Sequence, residues 1–208
     1  MESLEKKYNV SRETISELRA YEASLKEWQS KLNLVSRASL EDAWNRHFLD
    51  SMQLYKLIPD DAKVIYDFGS GAGFPGMVLA IMLKNRTPYL NINLIESIGK
   101  KTVYLNEVKK ITRTNVNIIN DRVENIKPQT ADVITSRAMA SLDKLLGYVE
   151  RFCGKKTKCI FPKGRSYQNE VEEAKKLWKF NLEVLENEQS DEGVILVVTN
   201  ISKAKGAK

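Results

Sequence analysis

The segment Asp67-Phe68-Gly69-Ser70-Gly71-Ala72-Gly73-Phe74-Pro75-Gly76 leaves a short apolar run and enters a helical one. Glycines at such a turn let the backbone bend tightly and approach a ligand closely. The spacing Gly71-x-Gly73-x-x-Gly76 fits a dinucleotide-binding turn. Gly69, Gly71 and Gly73 also make the Gly-x-Gly-x-Gly form found where S-adenosylmethionine binds. Glu96 lies twenty residues past Gly76, where the ribose hydroxyls of either cofactor would meet a carboxylate. Glycine spacing alone therefore does not choose between them. Asp67 tips the balance, because a carboxylate there would repel a pyrophosphate but can pair with the ammonium of a methionine. Asp121 and Glu124 add acceptors suited to an adenine edge. The cofactor expected is S-adenosylmethionine.

These residues need a scaffold that ends strands and starts helices at one edge. Residues 64–68 read as a first strand, followed by a helix over about 75–83. Residues 90–96 read as a second strand, with a helix over 97–112. Further strands are expected at 116–119, 132–135 and 159–161, with helices opened by Ser141 and spanning about 169–178. The last two strands, 182–186 and 194–199, have too short a connection for a parallel crossover and should pair antiparallel. This alternation predicts an α/β fold of the class I, Rossmann-like methyltransferase type. Its sheet should have seven strands, mostly parallel, with the last strand antiparallel. Ahead of it, apolar residues Ile15, Leu18, Tyr21, Leu25, Trp28 and Leu32 recur at helical spacing behind Ser11. Ser39 should open a second helix carrying Trp44, His47 and Phe48. The expected organisation is a helical extension over 1–60, a core over 61–202 and a basic tail, 203–208, expected to be disordered.

The chain has 208 residues, enough for one domain with an appendage, and 42% of them are apolar. No stretch approaches the roughly 18 apolar residues of a membrane span, and the N-terminus does not resemble a signal peptide. A cytoplasmic location is expected. Two cysteines, Cys153 and Cys159, and the single histidine, His47, are too few for a four-ligand zinc site. No metal is expected. Net charge is +6, carried entirely by residues 58–208. Cations concentrate between Arg151 and Arg165, a stretch without an acid, and again at Lys100, Lys101, Lys109, Lys110 and Arg113. Such clusters suit a polyanion such as nucleic acid, or simply keep a surface solvated.

Taken end to end, the chain resembles the small-subunit (16S) ribosomal RNA guanine-N7 methyltransferases of the glucose-inhibited division protein B family. The resemblance rests on Asn33-Leu34-Val35-Ser36, Arg46-His47-Phe48-Leu49-Asp50-Ser51 and the loop from Asp67 to Gly76. It continues through Glu96-Ser97 with Lys100-Lys101, Arg122-Val123-Glu124, Ser136-Arg137-Ala138 and Lys163-Gly164. The resemblance implies that Gly69, Phe74, Val123, Glu124 and Arg137 line the S-adenosylmethionine site. It also implies that 16S ribosomal RNA, or the small ribosomal subunit, is the partner of a monomeric enzyme. The chain departs from the family pattern at Met139, where a small or aromatic residue is commoner.

The residues can be set against the reaction. Carbon-5 methylation needs a cysteine in a Pro-Cys or Thr-Cys setting, and here the contexts are Phe152-Cys153 and Lys158-Cys159. Exocyclic-amine methylation commonly uses an Asn/Asp-Pro-Pro-Tyr loop, where this chain has Thr135-Ser136-Arg137. Guanine N7 offers an in-plane lone pair and no proton, so it needs orientation rather than a base. Arg122, Arg137, Lys163 and Arg165 follow strand ends at the ligand-binding edge. Arg137 is the candidate for ordering the donor or the base, or else a surface ion pair. Lys163, Arg165, Lys155, Lys156, Lys100 and Lys101, with Arg122, are candidate RNA contacts, or else ordinary surface charges. His47 is expected to pack on a helical face, hydrogen-bonded to Asp50. The alternatives are an NAD-dependent oxidoreductase and a non-catalytic RNA-binding protein of the same fold.

Overall fold

The computed structural model describes residues 3–204. The helical extension begins with α1 (Leu4–Tyr8) and α2 (Arg12–Gln29). Ser11 caps α2 by accepting the Thr14 amide at 3.2 Å, as its position predicts. The second expected helix is broken into pieces. Ser36, not Ser39, caps α3 (Arg37–Leu40). A π turn at Trp44–Leu49, α4 (Asp50–Met52) and a 3-10 turn at Gln53–Leu57 follow. Apolar spacing predicts a continuous helix here because it cannot report a change from four- to five-residue hydrogen bonding.

The sheet is built from β1 (Val64–Phe68), β2 (Asn91–Ile95), β3 (Asn117–Ile119), β4 (Ala131–Ser136), β5 (Cys153–Lys163), β6 (Trp178–Glu186) and β7 (Val194–Lys203). Its order is β3-β2-β1-β4-β5-β7-β6. Strands β1 to β5 pair in parallel, and β7 pairs antiparallel with both β5 and β6. The last strand thus inserts between β5 and β6 and leaves β6 at the edge. Strand β5 is much longer than its apolar centre suggests. Its Pro162 is tolerated where β5 has run past its final pair with β4 and keeps only β7. The expected disordered tail starts too early: Lys203 closes β7 and the Ala204 amide reaches Leu177 O at 2.9 Å. Residues 205–208 lie outside the described residues.

The connecting helices are α5 (Gly76–Leu83), α6 (Gly99–Ile111), α7 (Leu142–Val149) and α8 (Tyr167–Leu177). Ser141 precedes α7 but does not cap it through its hydroxyl, which bonds Asp143; the Leu142 amide is taken instead by the Glu170 carboxylate at 2.9 Å. Strand alternation divides the core. Ile65 faces α5 with Leu18, Tyr21, Leu25, Phe48 and Met52 of the extension, whereas Tyr66 and Phe68 face Phe152 and Phe161. Every residue of α5 is buried, because the sheet covers one side and the extension the other. The N-terminal helices therefore complete the core.

Candidate functional site

The carboxyl ends of β1, β2 and β4 converge on the glycine loop. Gly69, Gly71 and Gly73 all take left-handed backbone angles, φ +67°, +58° and +99°, which side chains disfavour. At Gly73 a Cβ would also collide with the Tyr21 hydroxyl, which donates to Ala72 O. The loop is fixed from β2 as well. The Ser70 amide donates to Ile95 O at 3.0 Å, and the Gly71 amide to Glu96 Oε2 at 2.8 Å. The other Glu96 oxygen takes the Ile98 amide at 2.7 Å. Glu96 therefore already serves two backbone donors, in addition to the ribose contact expected for it.

Asp67 is 0% exposed and lies against the start of α5. Its Oδ1 accepts from Thr135 Oγ1 at 2.7 Å, whereas Oδ2 is buried without a partner among the described residues. Burial pushes its pKa up to about 6, against the opposing hydrogen bond of Thr135. An acceptor left bare in this way is a place for a cationic donor. Beyond Gly69 lies a cavity of about 220 Å³ lined by Ser97, Asp121, Arg122, Val123, Glu124 and Met139 among others. The structure thus brings together Gly69, Val123 and Glu124. Phe74 sits apart, buried between Tyr21 and His47 at ring separations of 5.4 and 5.0 Å.

Arg137, at the end of β4, bridges to the extension. It donates to Arg46 O at 3.1 Å, Asp50 Oδ2 at 3.2 Å and His47 Nδ1 at 2.9 Å. Burial first, then Arg137 and Arg46, depresses the His47 pKa to about 3. The ring is therefore neutral, and accepting from Arg137 at Nδ1 assigns its proton to Nε2, which donates to Ser39 Oγ at 3.0 Å. The expected His47–Asp50 hydrogen bond is thus replaced: His47 joins Ser39 to Arg137. The Asp50 carboxylate serves Arg137, Gln53 and Asn187, the last at 2.8 Å. Gln53 donates to Asn187 Oδ1 and accepts the Glu188 amide, clamping the β6–β7 turn to the extension. Nothing local in the sequence points to Gln53 or Asn187, since the partners lie 134 residues apart.

Arg137 also borders a cleft of about 960 Å³ between the extension, the loop after β4 and the β6–β7 turn. Its carboxylates are all engaged. Asp42 accepts from Asn45, Asp50 pairs with Arg137, Glu170 with Lys163 at 2.7 Å, and Glu192 with Arg165. Lys163 is nearly buried and also donates to Ala140 O at 2.9 Å, so it tethers the loop after β4. Arg165 is exposed at the rim. Arg46, absent from the sequence-based candidates, is the one cleft cation without a carboxylate partner among the described residues. Lys100, Lys101 and Arg122 stand on the donor-cavity side, at the start of α6 and after β3. Lys155 and Lys156 lie at the opposite edge of the sheet, because Cys153 pairs with Ala131 at the beginning of β4. The two cysteine sulfurs are 3.8 Å apart within β5, away from both spaces. Among the described residues no cluster could hold a metal ion, and no helix is long and apolar enough to cross a membrane.

This strand order, with a glycine loop after β1 and an acid after β2, defines the class I S-adenosylmethionine-dependent methyltransferase fold. Solved structures share it at low identity. A TehB-like SAM-dependent methyltransferase from Corynebacterium glutamicum superposes with a TM-score of 0.57 at 15% identity, over 87% of this chain and 98% of that one. M. jannaschii TYW2 in complex with AdoMet gives 0.54 at 16% identity, over 82% and 78%. The family model described as rRNA small subunit methyltransferase G matches residues 14–194, and the chain belongs to that family. Ribosomal RNA small subunit methyltransferase G of Paramagnetospirillum magneticum is 40% identical over 98% of this chain and 97% of its own. The protein of that name from Orientia tsutsugamushi is 38% identical over 92% and 93%. Family membership sets aside the NAD-linked alternative.

Proposed function

We propose that the chain methylates N7 of a guanine in small-subunit (16S) ribosomal RNA, acting as a cytoplasmic monomer. S-adenosylmethionine, when bound, supplies an electrophilic methyl group on a sulfonium. The residues fit that donor: Asp67 offers an unpartnered buried oxygen, Glu96 a carboxylate at the end of β2, and Val123 and Glu124 a wall for the adenine. The observation that carries the reading is the state of the cleft. Each of its carboxylates is already paired or hydrogen-bonded, and both nitrogens of His47 are engaged. Among the described residues the imidazole and carboxylate nearest Arg137 are committed to fixed partners, an arrangement that positions rather than abstracts and suits an acceptor with no proton to lose. The role of the cleft is to hold the base in line, for which rigid positioning suffices. The product guanine is cationic, and Asp50 offsets the Arg137 charge beside it.

Arg46 and Arg165 at the cleft, with Lys100, Lys101 and Arg122 nearer the donor cavity, form the phosphate-binding set of this reading. Lys163 takes a tethering part. The test is methyl transfer from labelled S-adenosylmethionine to small-subunit RNA, followed by nucleoside mass analysis. Label in 7-methylguanosine is expected. Label in another nucleoside would overturn the assignment to N7. RNA binding without transfer would favour the non-catalytic alternative.

A further inference from the structure

We infer that Met139 is the positioning residue at which methyl donor and target base meet, and that its side chain must leave Gly69 for the donor to seat. The inference rests on the function proposed above. Among the described residues, Met139 alone lines both the 220 Å³ donor cavity and the 960 Å³ cleft. A methyl group moving from donor to acceptor must cross from one space to the other. The side chain forming the shared wall therefore borders its path.

The wall is tight on the donor side. A Cβ at position 69 would lie 2.9 Å from Met139 Cγ and 3.2 Å from its Sδ. The thioether thus packs directly against Gly69, and a ligand that reaches Gly69 from this side displaces Cγ and Sδ, while the Met139 Cβ, 3.1 Å from the same point, stays with the backbone. Methionine is suited to such a movement, being unbranched with three rotatable bonds. Ala138 has φ +54°, a left-handed angle that alanine adopts at a cost. On either side the loop is held: Arg137 is fixed by His47 and Asp50, and Ala140 O by Lys163. A pinned loop thus carries one movable apolar side chain between the two spaces. Swung aside, it still fills the boundary and keeps the base in line with the methyl group.

Three proteins test this: the wild-type chain, Met139→Ala and Met139→Leu. Calorimetry with S-adenosylhomocysteine reports the donor side, and single-turnover transfer to small-subunit RNA, saturated in both substrates, reports alignment. Met139→Ala should bind S-adenosylhomocysteine about three- to tenfold tighter, because Cγ and Sδ no longer have to be displaced. It should nevertheless transfer at least about tenfold slower, because the wall is gone. Met139→Leu, of similar volume, should stay within about threefold of wild type in rate. Opposite signs in affinity and rate are the signature, since a side chain that only packs would lower both together with the thermal midpoint. Unchanged or weaker S-adenosylhomocysteine binding by Met139→Ala overturns the inference, as does an unchanged rate. Should Met139→Ala fail to fold, Met139→Val carries the same two readouts. If the wild-type chain transfers no methyl to RNA, the proposed function fails, and the binding comparison still decides the part played by Met139.

Discussion

The Glu96 carboxylate accepts the Gly71 amide at 2.8 Å across 25 residues of sequence. The acid that ends β2 thereby sets the shape of the loop that follows β1. A group expected only to touch the donor is also part of the loop's frame. Charge-assisted hydrogen bonds of this kind contribute about 1.5–3 kcal/mol each. Glu96→Ala should therefore lower the thermal midpoint and weaken S-adenosylmethionine binding by at least about tenfold. Glu96→Gln, with one acceptor oxygen left, should fall between. Calorimetry and thermal unfolding on the same samples check this, and a loss of affinity with an unmoved midpoint would remove the framing part of Glu96.

Asp67 and His47 should titrate against each other. Asp67 stays protonated in the folded chain to about pH 6, whereas the unfolded carboxyl ionises near 3.8. Stability from this group is full below 3.8, falls as pH rises through 6, and above that carries a cost on the order of 2–3 kcal/mol. His47 runs the other way: its folded pKa is about 3 against 6.5 unfolded, so stability is lost as pH falls below 6.5. Asp67→Asn should raise the midpoint at pH 7 and leave it nearly unchanged at pH 4. It should also weaken donor binding, since the oxygen meant for the ammonium is replaced. Thermal unfolding across pH 4–8 and calorimetry at pH 7.5 measure both. An unmoved midpoint at pH 7 would show that Asp67 is ionised without cost.

These two residues also mark how far the sequence can be read. The loop is legible because its glycines answer a backbone requirement, φ above zero, that residue type reports directly. Asp67 at the end of β1 follows from the apolar run before it. Apolar spacing puts His47 on the correct buried face, yet it does not reveal the partners. The π turn at Trp44–Leu49 re-aims the ring towards Ser39 and Arg137, and no local spacing encodes a partner 90 residues away. The insertion of β7 between β5 and β6 is hidden for the same reason. A short connection implies that β6 and β7 pair, but not that β5 joins them. Charge groups Lys155 and Lys156 with Lys163, while strand β5 carries the two ends of that group to opposite edges of the sheet.

Arg137 should be replaceable by nothing shorter or less branched. Its guanidinium reaches Arg46 O, Asp50 and His47 together, and an ammonium cannot serve three directions in one plane. Arg137→Lys should lower the single-turnover methyl-transfer rate about tenfold or more while preserving the midpoint within a few degrees. Asp50→Asn should lower the rate as well, because it loosens Arg137 and the Asn187 clamp at once. In the double variant the losses should be less than additive, since both act through one network. Fully additive losses would mean that the two residues work separately.

RNA binding should depend on the cations at the cleft and donor edge, and not on those at the far edge. Removing a cation that neutralises one phosphate should flatten the log–log salt dependence by roughly 0.7–0.9. Arg46 lines the cleft without a carboxylate partner among the described residues, so Arg46→Gln should reduce both affinity and slope. Arg165→Gln should do less, because Glu192 already holds its guanidinium and must be displaced by phosphate. The Lys155→Gln, Lys156→Gln pair should leave the slope unchanged, as both side chains stand at the beginning of the parallel strands. Lys163→Gln should act differently again. It breaks the tie to Glu170 and Ala140 O, so its effect belongs in the thermal midpoint and the transfer rate, with little change in salt dependence. Filter binding across salt concentrations separates these cases. A flattened slope in the Lys155, Lys156 pair would move the RNA path to the opposite edge of the sheet.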